Sequence, residues 1–296
     1  MDGHVSAAIE HGDVSTARLR MHYRSHGAGG AMPILFVHGS FGTSRWWEPL
    51  LLLLPNEFHA LAPDMRGCGN TDRADDGYSV ESLAADLAAF VDAMGLLSFD
   101  LVAHASAGAV AVEYVLAHPE VARALVLVDS VPLEGVYTPL EALTLLDQMR
   151  TNPPLLADAL AMLMPRFAAE DAAGFAHIVD DAAAMAPAAF TEIAVALGAW
   201  NRFADARALT LPTLLIWGDE DPIVLRAAMT RNLLAIPGAN NLVVLRGVGH
   251  SPMLDAPLTL AEHIVDFVTE DFGGYSSIRK TASSDFASRM SMAWGA

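Results

Sequence analysis

Two acidic residues and one histidine in the second half of the sequence have the side chains needed for proton transfer. Asp219 and Asp221 follow the apolar run Thr213–Gly218, and His250 lies on a loop directly after Gly249. A carboxylate bonded to one ring nitrogen of a histidine fixes the tautomer and stabilises the charged ring, so the other nitrogen can take and return a proton. Such a pair activates a nucleophile, which has to be sought elsewhere in the chain.

The nucleophile position of a characteristic turn carries an alanine. Residues 99–110 read Phe-Asp-Leu-Val-Ala-His-Ala-Ser-Ala-Gly-Ala-Val, a buried-strand run followed by very small residues and a helix-forming stretch. A strand, a sharp turn and a helix form a nucleophile elbow with the pattern small-x-nucleophile-x-small. The register Ala103–Ala107 puts Ala105 at the reactive position, whereas the register His104–Gly108 puts Ser106 there.

A further motif could stabilise negative charge on a reacting oxygen. His38, Gly39 and Ser40 follow the predicted strand Ile34–Val37. A glycine here lets the backbone turn tightly and aim an N–H group at a developing oxyanion. Each motif is a weak signal by itself, but their order along the chain, with the elbow first, then the acid and then the histidine, is typical of one class of hydrolase.

With these motifs the chain resembles the α/β-hydrolase fold superfamily, of the general esterase, lactonase and carbon–carbon bond hydrolase type, over about residues 15–272. Asp64–Asp72 is similar to the D-x-R-G-x-G-x-S-D turn of that superfamily, and His118–Glu120 is a His-Pro-Glu sequence common after its elbow helix. Both are scaffold motifs. Cys68 occupies a variable position of the turn and is given no catalytic role.

The resemblance also selects the register of the elbow. In the superfamily the nucleophile lies about thirteen residues before the His-Pro-Glu sequence, and counting back from His118 gives Ala105. His104 is then a support for the turn. Ser106 and Ser40 are implied to supply the backbone N–H groups of an oxyanion hole.

The same resemblance assigns roles to the acid and the histidine. Asp221 fits the G-x-x-D spacing counted from Gly218, so it is favoured over Asp219 and over Asp129, which ends the strand after the elbow. His250 would take the proton of the nucleophile and pass it to the leaving group.

Ala105 has two interpretations. A natural alanine would make the chain a small-molecule binding protein without covalent chemistry, whereas an alanine introduced in place of serine would trap intact substrate. We favour the second, because His250 and Asp221 are retained. A parent with aspartate at this position, as in a dehalogenase or epoxide hydrolase, usually has lid tyrosines or a tryptophan or arginine after the nucleophile, and here only Tyr137 and Ser106 are found.

The elements that must position these residues alternate between strands and helices. Apolar runs of strand length are Pro33–Gly39, His59–Pro63, Phe99–His104, Ala124–Asp129, Thr213–Gly218 and Leu242–Leu245. Helical spacing between them predicts an α/β fold, a mostly parallel sheet with helices on both faces. Residues 11–28 weakly predict an antiparallel pair.

One stretch interrupts this alternation. Residues 132–210 contain no convincing strand and are punctuated by prolines, which predicts a helical lid over the carboxyl ends of the strands. The expected division is therefore a core of residues 1–131 and 211–272, a lid of 132–210 and a tail of 273–296. The tail begins with two glycines and ends with apolar residues, so docking on a second copy, and hence a homo-oligomer, stays open.

The composition restricts the function classes. The 35 acidic and 17 basic residues give a net charge of −18, which disfavours nucleic acid and acidic lipid surfaces as partners. One cysteine excludes an internal disulfide. No apolar stretch is long enough for a membrane span, and the N-terminal residues lack the pattern of a signal peptide, so a cytoplasmic protein is expected.

The lid composition suggests the substrate class. Between residues 132 and 210 there are four arginines and no lysine. The larger apolar side chains there are Met162, Met164, Phe167, Phe175, Met185, Phe190, Trp200 and Phe203. A medium-sized hydrophobic ester or lactone is therefore expected, with no cofactor and no metal. Most of these side chains, taken singly, are better explained by packing on the core, and Trp46 and Trp47 could line the pocket or begin a core helix.

Overall fold

An eight-stranded sheet forms the centre of the protein in a computed structural model that describes residues 8–27 and 32–270. Its strands are β1 (Glu10–Ser15), β2 (Arg20–Gly27), β3 (Met32–Val37), β4 (Phe58–Pro63), β5 (Phe99–His104), β6 (Ala122–Val128), β7 (Thr213–Gly218) and β8 (Ala239–Leu245). Their order is β1-β2-β4-β3-β5-β6-β7-β8. β1 pairs antiparallel with β2, and β2 with β4, while all pairs from β4 to β8 are parallel. The predicted parallel sheet and the weakly predicted N-terminal pair are both confirmed.

Helices connect the parallel strands and cover the sheet. They are α1 (Glu48–Leu51), α2 (Val80–Ala93), α3 (Ala107–Ala117), α4 (Leu140–Thr151), α5 (Pro153–Leu163), α6 (Pro165–Glu170), α7 (Ala172–Ala183), α8 (Ala189–Ala199), α9 (Arg226–Ala235), α10 (Pro252–Asp255) and α11 (Pro257–Thr269). Every residue of β5 and β7 is buried. These strands are apolar runs without alternation because helices cover both of their faces.

Between β6 and β7 the described residues form helices α4 to α8 and no strand. Pro153 and Pro165 begin α5 and α6, where a residue without a backbone N–H is tolerated. The apolar side chains that the sequence offered for substrate contact mostly pack inward, since Met164, Phe190 and Trp200 are all buried. We refer to residues 132–210 below as the helical segment.

The helical segment is attached to the rest of the molecule by hydrogen bonds at separate places. The backbone N–H of Phe167 donates to Asp255 Oδ1 at 2.9 Å, which fixes the start of α6. The N–H of Ala186 donates to the carbonyl of Gly67 at 2.8 Å. A buried or partly buried hydrogen bond has only weak competition from water, so each attachment resists local opening.

The carboxyl ends of the parallel strands gather the candidate residues at one edge of the sheet. His104 ends β5, Asp129 directly follows β6, and Gly218 ends β7. Open parallel sheets bind ligands at this edge. No helix among the described residues is long and apolar enough to cross a membrane. The predicted tail, residues 273–296, lies outside the described residues.

Candidate active site

Ala105 lies in a strained turn between β5 and α3. Its φ is +50°, in the left-handed region that costs a residue with a side chain about 1–2 kcal/mol. Ser106, the next residue, has a φ of −59° and ordinary helical geometry, and α3 begins at Ala107. The sharp strand–turn–helix geometry predicted for the elbow is therefore present, and its left-handed residue is Ala105.

Two glycines allow other parts of the chain to approach this turn. A side-chain carbon on Gly39 would lie 2.9 Å from the methyl carbon of Ala105, and one on Gly108 would lie 1.9 Å from Ser130 Oγ. Real side-chain carbons do not approach other atoms so closely, so glycine is needed at both positions. Ala105 itself is only 7% exposed, so a side chain at this position projects into an enclosed space.

The acid and the histidine form a buried pair. His250 Nδ1 donates to Asp221 Oδ2 at 2.8 Å, and both side chains are nearly inaccessible to water. Burial alone would raise the pKa of Asp221, but the hydrogen bond and charge of His250 and the N–H groups of Val224 and Ile223 lower it overall. Because the carboxylate can only accept, a proton is held on Nδ1, and Nε2 is the ring nitrogen that can exchange a proton with a ligand. Asp219, the other candidate, accepts instead from the N–H of Gly247 at 2.6 Å.

Two neighbouring serines occupy the expected oxyanion hole. The N–H of Ser40 donates to Ser106 Oγ at 2.8 Å, and the two hydroxyl oxygens are 2.9 Å apart. The N–H of Ser40, one of the two expected oxyanion-hole donors, is therefore already bonded to the Ser106 hydroxyl. A substrate oxygen would have to displace the Ser106 hydroxyl to reach the N–H of Ser40. The sequence prediction did not include this contact.

Two histidines beside the site form hydrogen bonds to backbone groups and so support the structure. His38 Nδ1 donates to the carbonyl of Gly39 at 2.8 Å, and its Nε2 accepts from the N–H of Met65 at 2.9 Å. Burial lowers the pKa of His38. His104 Nε2 donates to the carbonyl of His250 at 2.8 Å, and burial and the nearby His250 lower the pKa of His104 to about 3. Both rings are therefore neutral near pH 7, and His104 supports the loop that carries His250.

Two other groups considered from the sequence lie in the core and not in the cavity. Cys68 is fully buried, and burial raises the pKa of its thiol to about 12, which leaves it unreactive. Trp46 and Trp47 are buried against the ring of His104, at centroid distances of 5.9 and 6.5 Å. Both tryptophans lie in a 3-10 helix (Ser44–Trp47) that leads directly into α1, in the core and not in the wall of the cavity.

An apolar cavity of about 390 Å³ opens beside Ala105. Its lining is Ser40, Phe41, Ala105, Ser106, Val131, Pro132, Gly135, Val136, Leu163, Leu197, Ile223, Val224, Leu225, Ala227, Ala228, Arg231 and His250. Aliphatic side chains predominate, and none of the methionines or aromatic residues singled out in the helical segment contributes. Phe190 instead packs behind Phe41, with a centroid distance of 5.5 Å.

Arg231 is the one arginine or lysine among the residues that line the cavity, and its charge is already paired. Arg231 Nε lies 2.7 Å from Glu134 Oε1, and both side chains are partly exposed at the rim. A partly exposed pair of this kind contributes little to stability. The described lining of the cavity therefore offers no unpaired arginine or lysine to an acidic ligand.

The arrangement has the parts of a covalent hydrolase except for a nucleophilic atom. A left-handed residue directly follows a strand, a histidine lines the same cavity, and the acid that orients this histidine is buried. Comparisons with known proteins identify the family of the chain. A model of the alpha/beta hydrolase family matches residues 34–263.

Two curated relatives match most of the chain. The 2-hydroxymuconate semialdehyde hydrolase of Pseudomonas sp. (strain CF600) is 31% identical over 83% of this chain and 89% of its own length. The 2-hydroxy-6-oxo-2,4-heptadienoate hydrolase of Pseudomonas putida is 28% identical over 83% of this chain and 92% of its own length. Among solved structures, the enol-lactonase from Burkholderia xenovorans LB400 has a TM-score of 0.79 and 20% identity, covering 88% of this chain and all of that one. The chain belongs to the alpha/beta hydrolase family.

Proposed function

We propose that the protein is a serine-type hydrolase in which the nucleophile position, residue 105, carries an alanine. The observation that supports this best is the left-handed φ of +50° at Ala105, in a cavity that His250 also lines. Backbone strain at residue 105 is expected if this residue must project a reactive group from the turn. No such strain is needed if the turn only connects β5 to α3.

The chemistry follows from the positions of the donors and acceptors. In a serine form, the residue 105 hydroxyl would attack the carbonyl carbon of an ester while His250 Nε2 takes its proton. The oxyanion would accept hydrogen bonds from the N–H groups of Ser40 and Ser106. When the carbon–oxygen bond breaks, His250 returns the proton to the leaving alcohol, and a water molecule then releases the acid by the same steps.

The alanine form would bind substrate and turn it over very slowly. Removing a triad nucleophile abolishes most of the acceleration but leaves the oxyanion hole and the binding cavity. A natural binding protein on this fold is the alternative. The buried Asp221–His250 bond argues against it, because a protein that only binds does not need an oriented base.

The cavity favours an uncharged substrate of medium size. About 390 Å³ lies at the lower end of the range for small-molecule sites, and the lining is mainly aliphatic. We infer a hydrophobic carboxylic ester or lactone, covered by the helical segment as a lid through Leu163 and Leu197. The pairing of Arg231 with Glu134 also disfavours a strongly acidic substrate.

Ala105→Ser is the test. We expect hydrolysis of p-nitrophenyl esters and of simple lactones to rise by at least about 10³-fold over the alanine protein. Ala105→Ser combined with His250→Ala is the matched control, and it should return the rate to the starting value. If Ala105→Ser raises the rate on none of the substrates in the panel, the proposal is refuted and a binding protein is favoured.

A carbon–carbon bond hydrolase is the second candidate. Two relatives are named for 2-hydroxymuconate semialdehyde and 2-hydroxy-6-oxo-2,4-heptadienoate, and both match over 83% of this chain. These two compounds therefore belong in the panel for Ala105→Ser. Faster turnover of either compound than of any ester would favour the second candidate, and the reverse order would favour the first.

A further inference from the structure

Asp129 is a second carboxyl group at the acid–histidine pair and has no role in the steps above. It follows β6 directly, is 0% exposed, and has a φ of +43°, in the left-handed region. Its N–H donates to the carbonyl of Ile216 at 2.9 Å, and its Oδ1 accepts from the N–H of Gly218 at 2.8 Å. Asp129 is therefore fixed to β7 just where the turn leading to Asp221 begins.

The other oxygen of Asp129 lacks a conventional donor. Among the described residues no N–H or hydroxyl group donates to Asp129 Oδ2, although this atom is completely buried. The neighbouring acid is Asp221, which acts on Asp129 both through its charge and through a hydrogen bond between the two side chains. Two ionised carboxylates cannot form one, because both only accept.

Asp221 has room for one more donor. Its Oδ2 accepts from His250, and its Oδ1 accepts from the N–H groups of Ile223 and Val224. A carboxylate has about four acceptor positions, so three are filled. A proton on Asp129 would satisfy both the open position on Asp221 and the buried oxygen of Asp129.

Electrostatics point the same way. Burial, the charge of Asp221 and the hydrogen bond to it raise the pKa of Asp129 well above its usual range, and only the N–H of Gly218 opposes this. Among the described residues no lysine or arginine forms an ion pair with Asp129. The adjacent ring of His104 is neutral, and the hydrogen bond of His250 is directed at Asp221.

We propose that Asp129 is a neutral carboxylic acid that donates its proton in a hydrogen bond to Asp221 and positions that carboxylate beneath His250. Asp129 is then a positioning residue, and it keeps the buried acid pair at a single negative charge. Its importance for catalysis rests on the proposed function, but its protonation does not. The two can therefore be tested separately.

Infrared spectroscopy of the protein with Ala105 tests the protonation directly. The difference spectrum between this protein and Asp129→Asn at neutral pH should contain the carbonyl stretch of one protonated carboxylic acid. Asp219→Asn removes an exposed carboxylate from the same turn and is the matched control, whose difference spectrum should lack that band. A difference spectrum for Asp129→Asn with only ionised carboxylate bands would overturn the proposal.

Kinetics in the Ala105→Ser background test the positioning role. Asparagine tolerates a left-handed φ and still donates an N–H, so Asp129→Asn should keep kcat within a few fold with an unchanged pH profile. Asp129→Ala removes the donor and should lower kcat by about tenfold or more. Equal kcat values for the alanine and the parent proteins, or equal losses for alanine and asparagine, would contradict it. An inactive Ala105→Ser protein would refute the proposed function while the infrared result still decides the state of Asp129.

Discussion

Ser106→Ala, made in the Ala105→Ser background, separates the two registers of the elbow and measures what the Ser106 hydroxyl does. In the structure this hydroxyl accepts the N–H of Ser40 at 2.8 Å, the group that would otherwise bind the oxyanion. The substrate must break that bond before the N–H can act. Alanine removes the competing oxygen and keeps the backbone N–H of residue 106.

The size of the effect follows from the one hydrogen bond at issue. A hydrogen bond of this kind contributes about 0.5–1.5 kcal/mol net, which corresponds to about a two- to tenfold change in a rate or binding constant. We therefore expect Ser106→Ala to raise kcat/KM for esters by up to about tenfold. Water will fill part of the vacated space in the free enzyme, so the upper value is a ceiling.

The assay is ester hydrolysis by Ala105→Ser, with and without Ser106→Ala. Ser40→Ala is the matched control, because it removes the second hydroxyl but keeps the N–H that bonds to Ser106 Oγ. Its kcat/KM should stay within about twofold of the parent value, less than one net hydrogen bond is worth. Abolition of turnover by Ser106→Ala would refute the reasoning, since Ser106 would then be the nucleophile or an essential donor.

Three further predictions concern the acid, the packing of the elbow and the pH dependence of folding. Asp221→Asn in the Ala105→Ser background should lower kcat by about 10⁴-fold, measured on the same esters, because an amide donor imposes the wrong histidine tautomer. Gly108→Ala should lower the free energy of unfolding in urea by about 1–3 kcal/mol, because its new carbon would lie 1.9 Å from Ser130 Oγ. Gly198→Ala is the control, since its new carbon meets only ordinary contacts and should not destabilise the protein. Burial, opposed by an arginine partner, raises the pKa of Asp100 from 3.8 to about 6, so its contribution to stability is greatest below pH 4 and is lost as the pH rises through 6. The difference in free energy of unfolding between the parent protein and Asp100→Asn, measured in urea, should fall by about 2 kcal/mol from pH 4 to pH 7, and a difference that does not change with pH would contradict this assignment.

Local sequence patterns were sufficient to predict the sheet and the turns at its edge. The apolar runs of β5 and β7 have the length of strands and are bounded by small or polar residues, which is why their limits could be read directly. The small residues around Ala105 predicted a sharp turn, and the structure shows that its left-handed residue is Ala105. The resemblance to the superfamily, through its G-x-x-D pattern after Gly218, favoured Asp221, and this is the acid that forms a hydrogen bond with His250.

Contacts between distant parts of the chain could not be predicted in this way. His104 and the carbonyl of His250 are 146 positions apart and meet only because β5 and the loop after β8 end at the same edge of the sheet. The large apolar side chains of the helical segment illustrate the same limit. Composition identifies Phe190 as apolar, but only the packing of α8 determines whether it faces the core or a ligand.

The attachments of the helical segment have a consequence for how ligands enter and leave. The bonds from Phe167 to Asp255 and from Ala186 to Gly67 hold the segment on two sides. Two large apolar side chains of the cavity lining, Ile223 and Leu225, are 58% and 68% accessible. We therefore expect ligands to enter and leave past these two side chains while the helical segment stays attached at both places.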